Sequence, residues 1–408
     1  MIAGFFFSFR AIVVLSSVNL LGTEAKTGAA ISLALNFALL GAVCFDALGA
    51  GRRGLHSILR VPTLRWVAAF LALSLCSFAW SATVSVSSSL IYWCGMTADV
   101  AIVVLLLRAQ PVDAVAESVM KGFIWSTCLL AAIAWVMPVQ ADLRLGNEEY
   151  FNTNQIGNLC AFAIFLAQYL MRRNAGKWGW VAAFLAVTLL RSLSKTTIAA
   201  FVLSQAVLLI QDKAMSRRTK VLLTVAAMLV VFAFWGLIES YYDVYTNAGN
   251  QADTLTGRVG IWATVWDAAL ERPWIGHGFD SMWKVIPPFG PFEARHAENE
   301  VLQQFYAYGV AGVAMLVGLY GSFYRQLRGV SNGPVRVLLM SFLLFIVVRG
   351  LAEAEPFDLL LPLWTIVLVS MVAEKLRRGS GCGFGRVLTM AAARSGLRLS
   401  RAVGHGAR

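Results

Sequence analysis

The sequence predicts an all-α polytopic membrane protein of about twelve transmembrane helices with one large polar loop. Three observations predict it. Hydrophobic residues make up 58% and charged residues only 14%, with a mean hydropathy of +0.68, whereas a soluble domain carries about 25% charged residues. Apolar runs of ~20 residues, enough to cross a ~30 Å hydrocarbon core, recur along the chain. The short alternating segments of a membrane β-barrel are missing. Third, counting the spans brings the strongly basic loops to one side, as the positive-inside rule requires. That rule also accounts for the net charge of +12, so nucleic-acid binding is not called for.

The spans follow in order. The first covers Ile2 to Leu21 and contains Arg10, which must face the bundle or snorkel. No clear cleavage site follows, so it reads as a retained helix rather than a leader. The second runs from Ala29 to Leu48. The loop with Arg52, Arg53, Arg60 and Arg65 reads as cytoplasmic. Spans three to five are Trp66–Trp80, Ser87–Leu107 and Ser118–Val139, and Asp99 inside the fourth should face the bundle. The acid-rich loop QADLRLGNEEYFNTN suits the periplasm. Span six, Gln155–Met171, returns to the basic side at Arg172, Arg173 and Lys177.

Spans seven and eight, Trp178–Leu190 and Thr196–Ile210, meet through the tight junction RSLSKT. Arg191 and Lys195 then lie on the side where positive charge is not expected, which makes them candidates for binding an anion. Span nine is Val221–Ile238. Spans ten to twelve are Val301–Tyr324, Val337–Val348 and Leu359–Ala373. The organisation expected is therefore 1–238 as nine spans, 239–300 as a large periplasmic loop, 301–374 as three spans, and 375–408 as a basic cytoplasmic tail suited to anionic headgroups. Both termini fall in the cytoplasm. The six cysteines form no CxxC, and no His/Cys cluster or D-x-D stands out, so no metal or cofactor is expected.

The polar stretch Thr254–Gly312 concentrates the chemistry. Thr254 or Thr256 can cap a helix. Behind them Val259, Ile261, Trp262, Val265, Trp266, Ala269 and Leu270 form one apolar face of a short helix at the membrane interface. Arg258 sits in its first turn, where a guanidinium beside free N–H groups can hold a diphosphate. Pro273 ends the helix. IGHGF is a glycine-flanked turn in which His277 reads as structural, and PPFGPFEAR is extended and aromatic. His296, Asn299 and Glu300 share a helical spacing if span ten already covers them, as do Arg295 and Glu298. A carboxylate or imidazole at such a bundle mouth can accept a proton from a hydroxyl. Between spans eleven and twelve, Arg349 finds its partner four residues on in Glu353. Asn154, with Arg144 before it, opens span six.

These residues carry a family likeness. TLTGRVGIW followed by RPWIGHGFDSMW resembles the TLTGR-x-x-x-W and RP-x-x-G-x-G blocks of the O-antigen ligase and polymerase superfamily, most closely its exopolysaccharide polymerase branch. The family's HN-x9-G aligns with Glu298, Asn299 and Gly309, with Gly312 following. LSKTTIAA is similar to its S-R-T segment, with Lys195 at the basic position, and FNTNQIG to its N-x-x-G at Asn154 and Gly157. Glu298 stands where the family usually has His, and His296 matches a histidine of the polymerase branch's HAHN.

The resemblance implies a GT-C-like inner-membrane glycosyltransferase. It would transfer a glycan from an undecaprenyl-diphosphate carrier at the periplasmic face, polymerising an O-antigen or exopolysaccharide. A ligase acting on lipid A–core is the alternative, and a flippase of lipid-linked sugars is the rival from another class. The motif match gives Arg258, with Arg191 or Lys195, to the diphosphate. It gives the base role to Glu298 or His296 beside Asn299, with Arg349, Glu353 and Asn154 supporting. The transfer expected is metal-independent and inverting. Membrane lipids and a chain-length regulator protein are the further partners it implies.

Overall fold

Lipid offers no partner to a backbone N–H or C=O, so each apolar run must close its hydrogen bonds within a helix. The computed structural model of the chain describes residues 1–22, 25–49, 58, 60–140, 143–146, 151–174, 178–247, 255–282 and 296–378. Arg52, Arg53, Lys177, Thr254, all of PPFGPFEAR with Arg295, and all of the tail beyond 378 lie outside the described residues, as does the side chain of Thr256.

Each expected span overlaps helix, although Trp80 of the third, 137–139 of the fifth and 359–362 of the twelfth lie outside it. The helices are α1 Ile2–Leu21, α2 Ala25–Gly49, α3 Pro62–Cys76 with a 3-10 turn Ser77–Ala79, α4 Val86–Ala109 and α5 Val112–Val136. Next come α6 Thr153–Asn174, α7 Trp178–Ser192, α8 Lys195–Gln211, α9 Arg217–Ala233, α10 Trp235–Asn247 and α11 Leu255–Glu271. The last are α12 Glu300–Arg328, α13 Pro334–Arg349 and α14 at 363–378. Among the described residues, 5 helices are long and apolar enough to cross a membrane, or up to 6 if the bent pair α9–α10 is one span. The chain is thus a multi-pass all-α membrane protein. The single ninth span expected over Val221–Ile238 is instead two helices meeting at 52°. Phe234 leaves helical dihedrals there, and Gly236 behind it weakens the second helix start.

In lipid, apolar burial between helices contributes little, so close packing and polar pairs decide the arrangement. α1 lies against α5 closely enough that a Cβ on Gly4 would meet the Val119 carbonyl oxygen at 1.9 Å. Arg10 turns into the bundle and pairs with Asp99 on α4, which also accepts from Asn36 Nδ2 on α2 at 2.9 Å. The guanidinium lies over the Phe6 ring at 5.0 Å. The two charges expected to face the bundle therefore meet and neutralise each other. α5, α6, α12, α13 and α14 supply most of the core, with Phe162, Phe165, Phe342 and Phe345 interlocked at its centre. No described residue of α9 is buried.

Polar contacts mark the two ends of the bundle. At one, the C-terminus of α6 brings Arg173 to Asp113 on α5 at 3.1 Å and Arg172 to Asp212 after α8, and Lys375 on α14 joins Asp113. The other end collects the starts of α6, α8, α11 and α12 and the end of α13.

Candidate functional site

Glu353 is the hub of that second end. It lies in the loop after α13, 3% exposed. Its Oε1 accepts from Asn154 Nδ2 at 2.8 Å, Thr196 Oγ1 at 3.4 Å and Arg258 Nη2 at 3.3 Å. Its Oε2 lies 3.7 Å from Arg349 Nη2. Asn154 belongs to the first turn of α6, Thr196 to that of α8 and Arg258 to that of α11. Side chains from the first turns of three helices thus converge on one carboxylate, near the positive ends of the helix dipoles. Ser194, just before α8, ties them further, donating to Asn154 Oδ1 at 2.7 Å. Arg349 is 2% exposed; its Nε donates to Thr197 Oγ1 at 3.3 Å, while its Nη1 is buried without a hydrogen-bond partner.

Arg258 bridges this hub to the family motif. Its Nη2 is 3.3 Å from Glu298 Oε2 as well as from Glu353. Four residues on, and so on the same helix face, Trp262 Nε1 donates to the Glu298 carbonyl oxygen at 3.3 Å. The R-x-x-x-W spacing lets one helix face hold both the side chain and the backbone of Glu298. On the same side of the helix, Ile261, Val265 and Ala269 are buried against α12, while Val259, Trp266 and Leu270 are outward. Part of the expected apolar face is therefore packing, and part suits the membrane interface.

Glu298 itself has φ 51, the left-handed region that a side chain seldom enters. The helix covers neither it nor His296: α12 starts at Glu300, with Asn299 as its N-cap. The helical spacing proposed for His296, Asn299 and Glu300 is thus corrected. The irregular turn brings His296 and Glu298 together instead. His296 Nδ1 accepts the Glu298 amide at 3.3 Å and lies 3.6 Å from Glu298 Oε1. With Nδ1 accepting, the ring proton sits on Nε2. Burial lowers the His296 pKa, opposed in part by the charges of Glu353 and Glu355. Asn299 spends its amide on structure: Oδ1 accepts from Leu302 N at 3.0 Å and Nδ2 donates to Leu351 O at 2.9 Å. Glu300 locks α12 to its neighbours, its amide donating to Gly350 O at 2.8 Å and its Oε1 accepting from Leu360 N at 2.9 Å.

The remaining motif residues shape the backbone. Gly309, inside α12, has φ 64 and ψ −153, a conformation open essentially to glycine alone. The break frees the carbonyls of Tyr306 and Ala307, which accept from His277 N at 2.9 Å and Gly278 N at 2.8 Å. In return Val310 N donates to Pro273 O at 2.7 Å. The RP-x-x-G-x-G turn and the glycine of HN-x9-G, Gly309, are therefore two halves of one backbone junction. The His277 ring is structural as expected, stacked on Tyr306 at 4.5 Å with Nε2 2.8 Å from Ala268 O.

Arg191 and Lys195 are engaged elsewhere. Arg191 Nη1 donates to Leu143 O at 2.8 Å, and Lys195 Nζ lies 5.4 Å from the Tyr241 ring centre. Lys195 nonetheless adjoins Thr196 in the hub. Sequence reasoning missed Thr196, Ser194 and Gln303, whose Oε1 accepts from Ala297 N at 2.9 Å. Serine and threonine beside a tight helix start were the available signal.

Fold and site together define a multi-pass α-helical membrane protein with a buried arginine–carboxylate network at one mouth of its bundle. The O-antigen ligase family model matches residues 180–317, which hold Arg191, Lys195, Arg258, Glu298, Asn299 and Gly309 but not Asn154, Arg349 or Glu353. An O-antigen ligase of Pseudomonas aeruginosa is 27% identical over 117 residues. The match covers 29% of this chain and 28% of that relative, so the chain spans little more than a quarter of the relative's length. A solved chain described under "Structural coordination of polymerization and crosslinking by a peptidoglycan synthase complex" superposes at TM-score 0.43 with 17% identity, over 76% of this chain and 95% of that one. Over residues 180–317 the chain is thus similar to the O-antigen ligase/polymerase superfamily.

Proposed function

We propose that the protein is a glycosyltransferase of the bacterial inner membrane. In this reading it moves a glycan from an undecaprenyl-diphosphate carrier to a sugar hydroxyl at the periplasmic face, polymerising a surface polysaccharide. The observation that carries the reading is Arg258 bridging Glu298 and Glu353 at 3.3 Å each. Two guanidinium groups, of Arg258 and Arg349, balance two carboxylates, of Glu298 and Glu353. An arriving diphosphate competes for Arg258 and for the open Nη1 of Arg349, with three helix N-termini behind it. Drawing Arg258 toward phosphate uncovers the Glu298 carboxylate as a base.

The acceptor hydroxyl then forms the new bond to the anomeric carbon with inversion, and its proton passes to Glu298. The bond from the anomeric carbon to the diphosphate oxygen breaks, and undecaprenyl diphosphate leaves with the electron pair. Fixed guanidinium donors at the departing charge contribute a few kcal/mol. Glu298 is the better candidate base because His296 Nδ1 already accepts an amide. Arg191 and Lys195 would join only by leaving their present partners.

Arg258→Ala is expected to lower transfer from a lipid-linked donor by at least about 100-fold while the protein still elutes as a folded species. Full activity in that variant would remove the reading. Activity lost with EDTA and restored by Mg²⁺ would remove its metal-independent form. The second reading, ligation to lipid A–core, is favoured by the similarity to the O-antigen ligase family and to the Pseudomonas aeruginosa O-antigen ligase. Purified lipid-linked repeat units supplied without lipid A separate the two. Chain growth marks a polymerase; a product only after lipid A–core is added marks a ligase.

A further inference from the structure

The turn before α12 is held more firmly than a helix start requires. Asn299 already caps α12, its Oδ1 accepting from Leu302 N at 3.0 Å, which is the ordinary way to satisfy a first-turn amide. Gln303 lies in that same first turn, its amide donating to Asn299 O at 2.8 Å. Its side chain nevertheless reaches back past the cap, and Oε1 accepts from Ala297 N at 2.9 Å. In a capping box the returning side chain stops at the amide of the cap residue itself. Here it goes two residues further, to an amide that lies outside the helix. The helix has no use for this bond; the turn that carries Glu298 does.

Three side chains grip consecutive peptide groups around Glu298. Gln303 takes the Ala297 amide, His296 Nδ1 takes the Glu298 amide at 3.3 Å, and Trp262 Nε1 donates to the Glu298 carbonyl at 3.3 Å. They hold a backbone that would otherwise relax, because φ 51 at Glu298 lies in the left-handed region, unfavourable to any residue with a Cβ. The three grips are not equivalent. His296 belongs to the turn and moves with it. Trp262 is also packed against the cluster between α11 and α12. Gln303 makes the shortest of the three bonds and ties the turn to α12. Ala297 is 0% and Gln303 5% exposed, so water is shut out as a substitute partner and the amide depends on this one acceptor.

We propose that Gln303 is a positioning residue for the transfer, holding the Ala297 amide so that Glu298 stays in its left-handed turn with its carboxylate placed for the acceptor hydroxyl. The inference rests on the transferase reading above and adds to it a residue that acts through the base. Without the Gln303 oxygen, Glu298 returns toward an ordinary dihedral and its carboxylate leaves its place 3.3 Å from Arg258. Misplacing a reacting group by about 1 Å can cost about 100-fold in rate. The diphosphate is held by the arginines, so its binding is not expected to follow Gln303.

The test uses the full chain in nanodiscs. Gln303→Met keeps an unbranched side chain and removes the acceptor; Gln303→Asn is one methylene too short to reach and is the second loss variant. Gln303→Glu keeps an oxygen that accepts the amide. Gln304→Met, at the adjacent position, is the control, because Gln304 Oε1 has no hydrogen-bond partner. Hydrogen exchange resolved to single residues by fragment mass spectrometry should show the Ala297 amide exchanging about tenfold faster in both loss variants, the worth of one hydrogen bond. The Leu302 amide should stay as protected as in wild type; a role confined to the helix start would release Leu302 instead. With an undecaprenyl-diphosphate-linked donor, kcat should fall about tenfold to 100-fold in the loss variants, with KM for the donor unchanged. Gln303→Glu should recover most of kcat and the protection of Ala297, and Gln304→Met should match wild type in both. Unchanged Ala297 exchange in the loss variants, an unchanged kcat once that amide is released, or an equal loss in Gln304→Met overturns the proposal. A wild type with a protected Ala297 amide that releases no undecaprenyl diphosphate from the donor refutes the transferase reading instead.

Discussion

Gly309 offers the sharpest test of how backbone geometry builds the site. A Cβ at this position would lie 2.4 Å from the Trp274 carbonyl carbon and 2.5 Å from Pro273 O. Both obstacles are backbone, so neither can swing aside. Alanine there also pays for its dihedrals: φ 64 with ψ −153 is a region that costs about 1–3 kcal/mol for a residue with a side chain. Overpacking adds about 1–3 kcal/mol, so Gly309→Ala is expected to destabilise by roughly 2–6 kcal/mol. The bond from Val310 N to Pro273 O is the first to go, and the His277–Tyr306 and Gly278–Ala307 bonds depend on the same junction. Gly321, further along α12, is the control. A Cβ there meets nothing within 4 Å, so Gly321→Ala should be neutral or stabilise by up to about 1 kcal/mol. Thermal unfolding in detergent, followed by tryptophan fluorescence, reads both variants, and a transfer assay reads the site. Equal stability of the two variants would refute the junction as the feature that seats Glu298 and Asn299.

Three further outcomes follow from the charged groups. Glu353→Gln leaves Arg349, 2% exposed, without its countercharge and should cost about 3–5 kcal/mol; adding Arg349→Met should recover most of the loss in thermal midpoint. Arg10→Leu strands Asp99 inside the bundle; because Arg10 is a third exposed, the loss should be smaller, about 1–3 kcal/mol, and Asp99→Asn in the same chain should restore stability. Burial depresses His296 below its ordinary value of 6.5, so the unfolded chain binds the extra proton first and stability falls as pH drops below about 6.5. Thermal midpoints measured from pH 7.5 to 5.5 should fall in wild type and fall less in His296→Gln.

Most of the helical framework was legible because apolar runs bounded by charge leave lipid-embedded backbone no other way to satisfy itself. α1 and α7 begin where the sequence reading put them. What could not be read depends on contacts far apart in the chain. Arg258 and Arg191 both read as candidates for an anion, yet one meets Glu353 across 95 positions and the other meets a loop carbonyl. The same holds for Arg10 and Asp99, each identifiable alone as a charge needing a partner. The bend after Ala233 had only Gly236 as a local signal.

The most instructive difference is the pair His296 and Glu298. On a helix, residues two apart point about 200° from one another, which argues against both serving one hydroxyl. That objection assumes the helix reaches back to His296. Asn299 followed by an acid and an apolar periodic run is an N-cap signal, and the structure uses it: Asn299 Oδ1 caps Leu302 N. Once Asn299 is the cap, His296 and Glu298 lie outside the helix and are free of its spacing. Glu298 then enters the left-handed region, its carbonyl held by Trp262 and its side chain by Arg258. The carboxylate at the position of the resembled motif's histidine therefore comes with a charge partner: the Arg258 guanidinium, 3.3 Å away, keeps Glu298 seated.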